Sequence, residues 1–333
     1  MPMAQTRRRF LTTLSLAGAA SLVRVPRAPA AEGELETTSV RLMKSPVICP
    51  IPLYIAEEFL RAEGFTGVRF VGFESSAEVN GAISEGIADF SYNTAEMLAA
   101  GIDAGEGITA LAGIHGGCYE LFANESVHSV AELTGKNVGV IALGSAQHLF
   151  IAAVAAHIGI DPARDIRWVA GPQLIEQFAA GKIDVLMAAP PLSQDLHARH
   201  IGHVILNTTV DRPWSQYFCC MIMGNREFVR EHPVATKRVL RAILKAADLC
   251  VANPPLVAQR LVDDGFTKHY DYALQTLKEI AYDRWRDYDG DDTLRFFALR
   301  LREAGLIKSS PQKIIADGTD WRFLNELKRE LKA

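Results

Sequence analysis

Five cysteines, at 49, 118, 219, 220 and 250, carry the most reactive side chains of this 333-residue chain. Five is an odd number, so at least one thiol stays outside any intrachain bridge. No C-x-x-C spacing occurs, which argues against thioredoxin-like exchange and against a structural zinc site. Each cysteine is therefore expected to pack as a small apolar residue, with a bridge from Cys118 to Cys219 or Cys220 as the alternative in an oxidising compartment. Cys219 and Cys220 adjoin on an expected strand, which would turn them to opposite faces. His197, His200 and His203 recur every three residues. Their helix is expected to end near Gly202, so a shared metal is not expected; the dipole at a helix C-terminus already favours histidine there. Asp287-Tyr288-Asp289-Gly290-Asp291-Asp292 has the outline of a calcium loop, but the required glycine and the downstream glutamate are out of place. Asp291 or Asp292 is expected to cap a helix instead. Gly144-Ser145 sits at a strand-to-helix turn without the G-x-S-x-G pattern of a nucleophile elbow. There is no P-loop, no strand-linked G-x-G-x-x-G and no H-E-x-x-H. Catalytic residues, metal and cofactor are accordingly all expected to be absent.

The elements that must position any site alternate between strand and helix. Val40-Arg41-Leu42-Met43 reads as a first strand. A helix opens at Pro52, with apolar positions 53, 55, 56, 59 and 60 at helical spacing, and closes at Gly64. Strands at 68–73, 89–92 and 108–114 alternate with a helix capped by Ser76 and a helix over 94–100. A second alternating series follows: strands at 138–142, 166–169, 183–188 and 203–206, and helices at 146–158, 173–180 and 191–201. From Arg226 onward the pattern is helical, with helices at 226–230, 233–252, 255–263, 270–281, 291–304 and 319–332. Alternation of this kind implies an α/β fold with parallel sheets. The length allows about two domains, and an apolar share of 49% can fill their cores.

Net charge is −4, but it is unevenly spread. Residues 1–31 hold five arginines and no acidic residue, which leaves 30 basic against 39 acidic side chains, a balance of −9, for the remainder. The acidic body argues against nucleic acid as a partner. In the basic leader, Arg7-Arg8-Arg9 is followed by a 14-residue apolar run from Phe10 to Val23 and then by Ala28-Pro29-Ala30-Ala31. That order is the one of an export signal, and the run is too short to span a bilayer, which takes about 20 residues. The paired arginines resemble the bacterial twin-arginine export signal. Cleavage is expected near Ala30 or Ala31, and the mature chain is expected to be a soluble periplasmic monomer.

One pattern repeats 95 residues apart: Gly86-Ile87-Ala88-Asp89-Phe90 and Gly181-Lys182-Ile183-Asp184-Val185. It suggests two similar open-sheet lobes. Taken in order with Pro52-Leu53-Tyr54-Ile55-Ala56, Glu120-Leu121-Phe122-Ala123-Asn124, Val130-Ala131-Glu132-Leu133-Thr134-Gly135-Lys136-Asn137-Val138-Gly139-Val140 and Asn225-Arg226-Glu227-Phe228-Val229, the set resembles the periplasmic substrate-binding proteins of ABC importers. The resemblance is nearest to the group serving nitrate, sulfonates such as taurine, and thiamine-precursor pyrimidines. It spans roughly residues 38–330.

The resemblance implies the type II periplasmic-binding fold: two α/β lobes joined by crossover strands near 118–123 and 217–223, with a helical C-terminal part. Lobe one would comprise 38–120 and 215–333, and lobe two 121–214. A ligand would lie between the lobes, outside the carboxyl ends of the strands, and draw them closed. The loops at those ends supply Ser45, Cys49, Glu74, Asn93, Thr94, His115 and Tyr119 from lobe one, and Ser145, Gln147 and Pro191 from lobe two; Trp214 and Tyr217 flank the return crossover. Ser145 and Gln147 open a helix whose N–H groups suit a carboxylate or sulfonate, and Asn93-Thr94 is placed to do the same. Tyr119, Trp214 and Tyr217 suit a flat ligand, and Glu74 a cationic or N–H-donating one. None of these loops carries the arginine clamp common for small oxyanions, which points away from nitrate and simple sulfonates toward a partly apolar organic molecule such as an aromatic one. The partners implied are that ligand and an ABC permease. A sensor subunit, or an enzyme of the same fold acting on a pyrimidine-like substrate, remain the alternatives.

Overall fold

The computed structural model describes residues 33–44, 47–73 and 76–331. The leader, with its export signal and cleavage site, lies outside the described residues, as do Ser45 and Glu74 and the side chain of Ser76. The chain from Leu35 onward forms one compact unit.

The repeated alternation yields two five-stranded sheets among the described residues. The first holds β1 (Ser39–Lys44), β2 (Gly67–Gly72), β3 (Phe90–Thr94), β4 (Ile108–His115) and β10 (Cys220–Asn225), in the order β2-β1-β3-β10-β4. The second holds β5 (Glu120–Ala123), β6 (Asn137–Val140), β7 (Arg167–Ala170), β8 (Val185–Ala188) and β9 (His203–Asn207), in the order β7-β6-β8-β5-β9. In each, four strands run in one direction and a strand that arrives from the other sheet runs against them: β10 between β3 and β4, and β5 between β8 and β9. Strands β3 and β4 are buried along their whole length, as expected of strands covered on both faces. The chain passes between sheets at 116–119 and again at 208–219.

Fourteen helices are defined among the described residues. In the first half these are α1 (Ile51–Tyr54), α2 (Glu57–Ala62), α3 (Ser76–Ser84) and α4 (Ala95–Asp103). The middle holds α5 (Ala146–His157), α6 (Leu174–Ala179) and α7 (Leu192–Ala198). The C-terminal part is α8 (Arg226–Glu231), α9 (Pro233–Ala252), α10 (Pro254–Asp263), α11 (Tyr270–Glu279), α12 (Gly290–Glu303), α13 (Pro311–Gly318) and α14 (Arg322–Glu330). The long α9 presents Val239, Leu240, Ile243, Leu244 and Ala247 at helical spacing and buries them all.

The Gly-x-x-Asp echo has the same physical role in both sheets. Gly86 (φ 70°) and Gly181 (φ 71°) take the left-handed turn that a side chain resists. Asp89 then accepts from the Arg41 N–H at 2.7 Å, and Asp184 from the Asn137 N–H at 2.8 Å. Each aspartate thereby satisfies the backbone of its parallel neighbour, and each is held from its other side, by Arg41 in one sheet and by Asn124 in the other.

Four expectations need correction. The helix opening at Pro52 is broken at Ile55-Ala56 into α1 and α2. Helix α13 is absent from the expected elements although the sequence carries its start signal: Ser310, whose hydroxyl accepts from the Lys313 N–H, followed by Pro311. The cap of α12 is Asp289, which accepts from the N–H groups of Asp291 and Asp292, so neither of those is the cap. Finally, β10 begins only at Cys220, and the ladder shifts between Cys220 and Met221. Cys219 stands outside the strand, so the alternation of faces does not separate the two thiols.

Candidate functional site

Because β10 is antiparallel to its neighbours, its first residue lies at the carboxyl ends of β3 and β4. Cys220 pairs with Thr94 on one side and with His115 on the other. The two crossovers meet at this edge. The Thr208 N–H donates to the Tyr119 carbonyl at 2.9 Å, and the Tyr119 N–H donates to Thr208 Oγ1 at 2.8 Å. Gly117 is required there: a Cβ on it would come within 2.0 Å of the Thr208 carbonyl oxygen. Contacts between elements of the two sheets close around the edge. The Ile48 N–H donates to the Pro190 carbonyl at 3.3 Å, and Gln194 Nε2 to Thr276 Oγ1 at 3.2 Å.

Between the crossovers, α4, α5 and α12 lies a narrow cavity lined by Glu96, Gly117, Tyr119, Phe150, Thr208, Trp214, Phe218, Cys219 and Phe297. Its free space is about 10 Å³, the room of one water. Glu96 dominates its chemistry. The residue is 1% exposed, and neither carboxyl oxygen makes a hydrogen bond of good geometry, although the Thr94 and Tyr119 hydroxyls lie near enough to hold its pKa down in part. Burial, with the Cys219 thiol adding to it, pushes the Glu96 pKa up to about 8. A carboxyl group facing aromatic rings without a well-formed hydrogen bond costs stability, and a ligand with N–H donors would recover that cost. No arginine lines the cavity.

The expected site residues divide into three groups. Tyr119, Trp214 and Thr94 gather at or beside this cavity. The rings are already packed on protein: Tyr119 lies edge-on to Phe150 at 5.0 Å, Trp214 edge-on to Phe150 and Phe296 at 5.3 Å each, and Tyr217 stacks on Phe296 at 4.3 Å. Cys49 and His115 gather in a thiol cluster with Cys118 and Cys220. Ser145, Gln147, Pro191 and Asn93 are spent or stand elsewhere. Ser145 caps α5 by accepting from the His148 N–H and donates to the Ala142 carbonyl. Asn93 bonds Asn80 and its own following N–H. Pro191 starts the turn into α7, and Gln147 lies in the first turn of α5. Thr94 occupies the cap position of α4 but makes no capping bond.

Sequence reasoning missed Glu96, Phe150, Thr208 and Phe297. For Glu96 a signal was present: it is the one charged residue in Ala95-Glu96-Met97-Leu98-Ala99-Ala100-Gly101-Ile102, a stretch too apolar to be a solvent face.

The other groups of interest have separate partners. Cys118 and Cys219 sulfurs approach to 3.3 Å as free thiols, with no bridge between them. His197 pairs with Glu120 at 2.8 Å and His203 stacks on His128 at 5.9 Å. A larger hollow of about 620 Å³ lies beside the end of β1, between α2 and α10. Four of its charges are spent on each other, as Arg61–Glu57 at 2.7 Å and Arg260–Glu58 at 2.9 Å, and Lys44 lies over the Phe266 ring. It offers a ligand no unsatisfied buried group, so the smaller cavity is the stronger candidate. Among the described residues no helix is long and apolar enough to cross a membrane.

The model of the NMT1-like family matches residues 33–261. Solved structures share the fold at low identity. The periplasmic nitrate-binding protein NrtA from Synechocystis PCC 6803 superposes with a TM-score of 0.71 at 14% identity, over 90% of each chain. The alkanesulfonate-binding protein SsuA from Xanthomonas axonopodis pv. citri, bound to MOPS, gives 0.70 at 14% identity over 86% of this chain and all of that one. The periplasmic aliphatic sulphonate binding protein SsuA from Escherichia coli gives 0.67 at 14% identity over 84% of this chain and 92% of that one. The architecture is thus that of the periplasmic binding proteins. No curated protein matches the chain in sequence.

Proposed function

The chain belongs to the NMT1-like family, and from that premise we propose that it is an extracytoplasmic solute-binding protein that captures a small organic molecule and delivers it to an ABC permease. The two sheets are the cores of two lobes, and the segments 116–119 and 208–219 are the hinge about which they open and close. Residues 1–31 are a twin-arginine export signal, cut near Ala30 or Ala31, which places the mature chain in the periplasm. It binds rather than transforms its ligand.

One observation carries the choice of ligand: the buried carboxyl of Glu96, without a hydrogen bond of good geometry, in a cavity walled by Tyr119, Phe150, Trp214 and Phe297. A carboxyl acceptor between aromatic faces suits a flat or compact molecule bearing N–H donors. The solved neighbours named for nitrate and sulfonates would lead one to expect an oxyanion; the absence of arginine from the lining argues for the nitrogen-bearing class. Since the cavity has room for about one water, entry requires the lobes to part.

A thermal-shift panel of aminopyrimidines, small organic amines, sulfonates and nitrate tests the assignment. An N–H-bearing compound at about 100 times its Kd adds ~2.7 kcal/mol of stability, and the Glu96→Leu variant, which has no acceptor, loses most of that gain. Stabilisation by a sulfonate or by nitrate, equal in both proteins, would overturn the ligand class.

A further inference from the structure

We infer that Cys49, Cys118, Cys220 and His115 form a tetrahedral site for a thiophilic divalent cation, with zinc as the expected ion, at the base of the hinge. The four ligand atoms lie within 4.8 Å of one another and all four residues are buried. They come from separate parts of the chain: the turn before α1, the end of β4, the first crossover and the first residue of β10. A zinc ion with bonds of about 2.3 Å to sulfur and 2.0 Å to nitrogen holds its ligands about 3.6–3.8 Å apart. The cluster needs to contract by no more than about 1 Å to take it.

His115 supplies the second, independent observation. Its Nδ1–H donates to the Gly116 carbonyl at 2.5 Å, and its Nε2 is buried with no hydrogen-bond partner. A backbone carbonyl that fixes Nδ1 as the protonated nitrogen leaves Nε2 with an unshared pair, which is the tautomer and the support that metal-bound histidines have. Without a ligand that nitrogen carries the cost of an unsatisfied buried acceptor. The frame around the cluster is also built: Tyr282 Oη donates to the Cys49 carbonyl at 2.7 Å, and the Cys219 N–H to the His115 carbonyl at 3.1 Å. Thiolate is the form that binds the ion, so uptake expels the thiol protons.

The spacing in the sequence hid this site. Zinc motifs pair cysteines two to four residues apart, whereas here the fold assembles single ligands from segments up to 171 residues apart. Four protein ligands close the coordination sphere, so the ion is structural. It ties the first crossover and β10 to the turn before α1, and thereby stiffens the hinge. This inference stands apart from the identity of the solute.

The full mature chain, reduced with a non-chelating phosphine and equilibrated with zinc, is to be assayed by elemental analysis, with cobalt as a spectroscopic substitute. About one zinc per chain is expected, with the intense visible bands and thiolate charge transfer of tetrahedral cobalt. Alkylation with and without chelator should show Cys49, Cys118 and Cys220 protected by the ion. Cys49→Ser and Cys118→Ser should retain below about 0.1 zinc, while Cys250→Ser retains the wild-type amount. Wild-type protein that takes up no zinc overturns the inference, whether its thiols are all reduced or Cys118 has bridged to Cys219. So does cobalt bound without the thiolate band. The wild-type measurements decide the matter even if a serine variant fails to fold.

Discussion

Replacing Glu96 by glutamine should stabilise the protein in a pH-dependent way. The folded carboxyl keeps its proton up to about pH 8, against an ordinary value of 4.5. The unfolded chain releases that proton near 4.5, so between the two values the folded state binds more protons than the unfolded one. Stability then falls as pH rises, by ~1.4 kcal/mol per pH unit for this one group. Below the unfolded pKa the group costs nothing by this route; above the folded pKa the full penalty, at most about 5 kcal/mol, is in force. Glutamine has the shape of the protonated acid and cannot ionise, so it escapes the penalty. Urea unfolding of both proteins at about pH 5, 7 and 9 measures it. The variant should be near wild type at the lowest pH and more stable by several kcal/mol at the highest. The result that refutes the reasoning is a difference that stays constant across the series, because a packing effect has no pH dependence.

Further outcomes follow from other parts of the fold. Asp89→Asn and Asp184→Asn should each cost about 1–3 kcal/mol, since each leaves a backbone N–H of the neighbouring strand with a weaker acceptor; because they serve different sheets, the double variant should show the sum in urea unfolding. Gly117→Ala forces the two crossovers apart at Thr208 and should cost about 1–3 kcal/mol, read as a lower thermal midpoint, with wild-type stability as the contrary result. Trp214→Ala should cost about 3–5 kcal/mol because the ring is enclosed by Phe150, Phe296 and Phe297; a loss below about 1 kcal/mol would mean that the ring faces open space.

The architecture was legible in the sequence because it rests on local signals. The Gly-x-x-Asp pattern marks the same strand-capping aspartate in each sheet, and the alternation of strands and helices marks the parallel crossovers. What escaped depends on tertiary placement. The Ser145 hydroxyl reads from the sequence as part of an anion site, and only the fold shows it spent on bonds to His148 and Ala142. The apolar stretch around Glu96 marked it as buried, but only the packing of α4 against α5 and α12 shows which side chains surround it. Cys219 and Cys220 were separated by a rule for strands that fails because β10 starts one residue late. The thiol–imidazole cluster had no signature in spacing, since each of its members comes from a different element.

The central claim is a solute held between lobes that open and close. Small-angle scattering of the mature wild-type chain, with and without the compound that stabilises it most in the thermal-shift panel, tests it most directly. The account predicts a smaller radius of gyration with the compound, as lobes that had parted at 116–119 and 208–219 close over Glu96. A radius unchanged at saturating compound would contradict it.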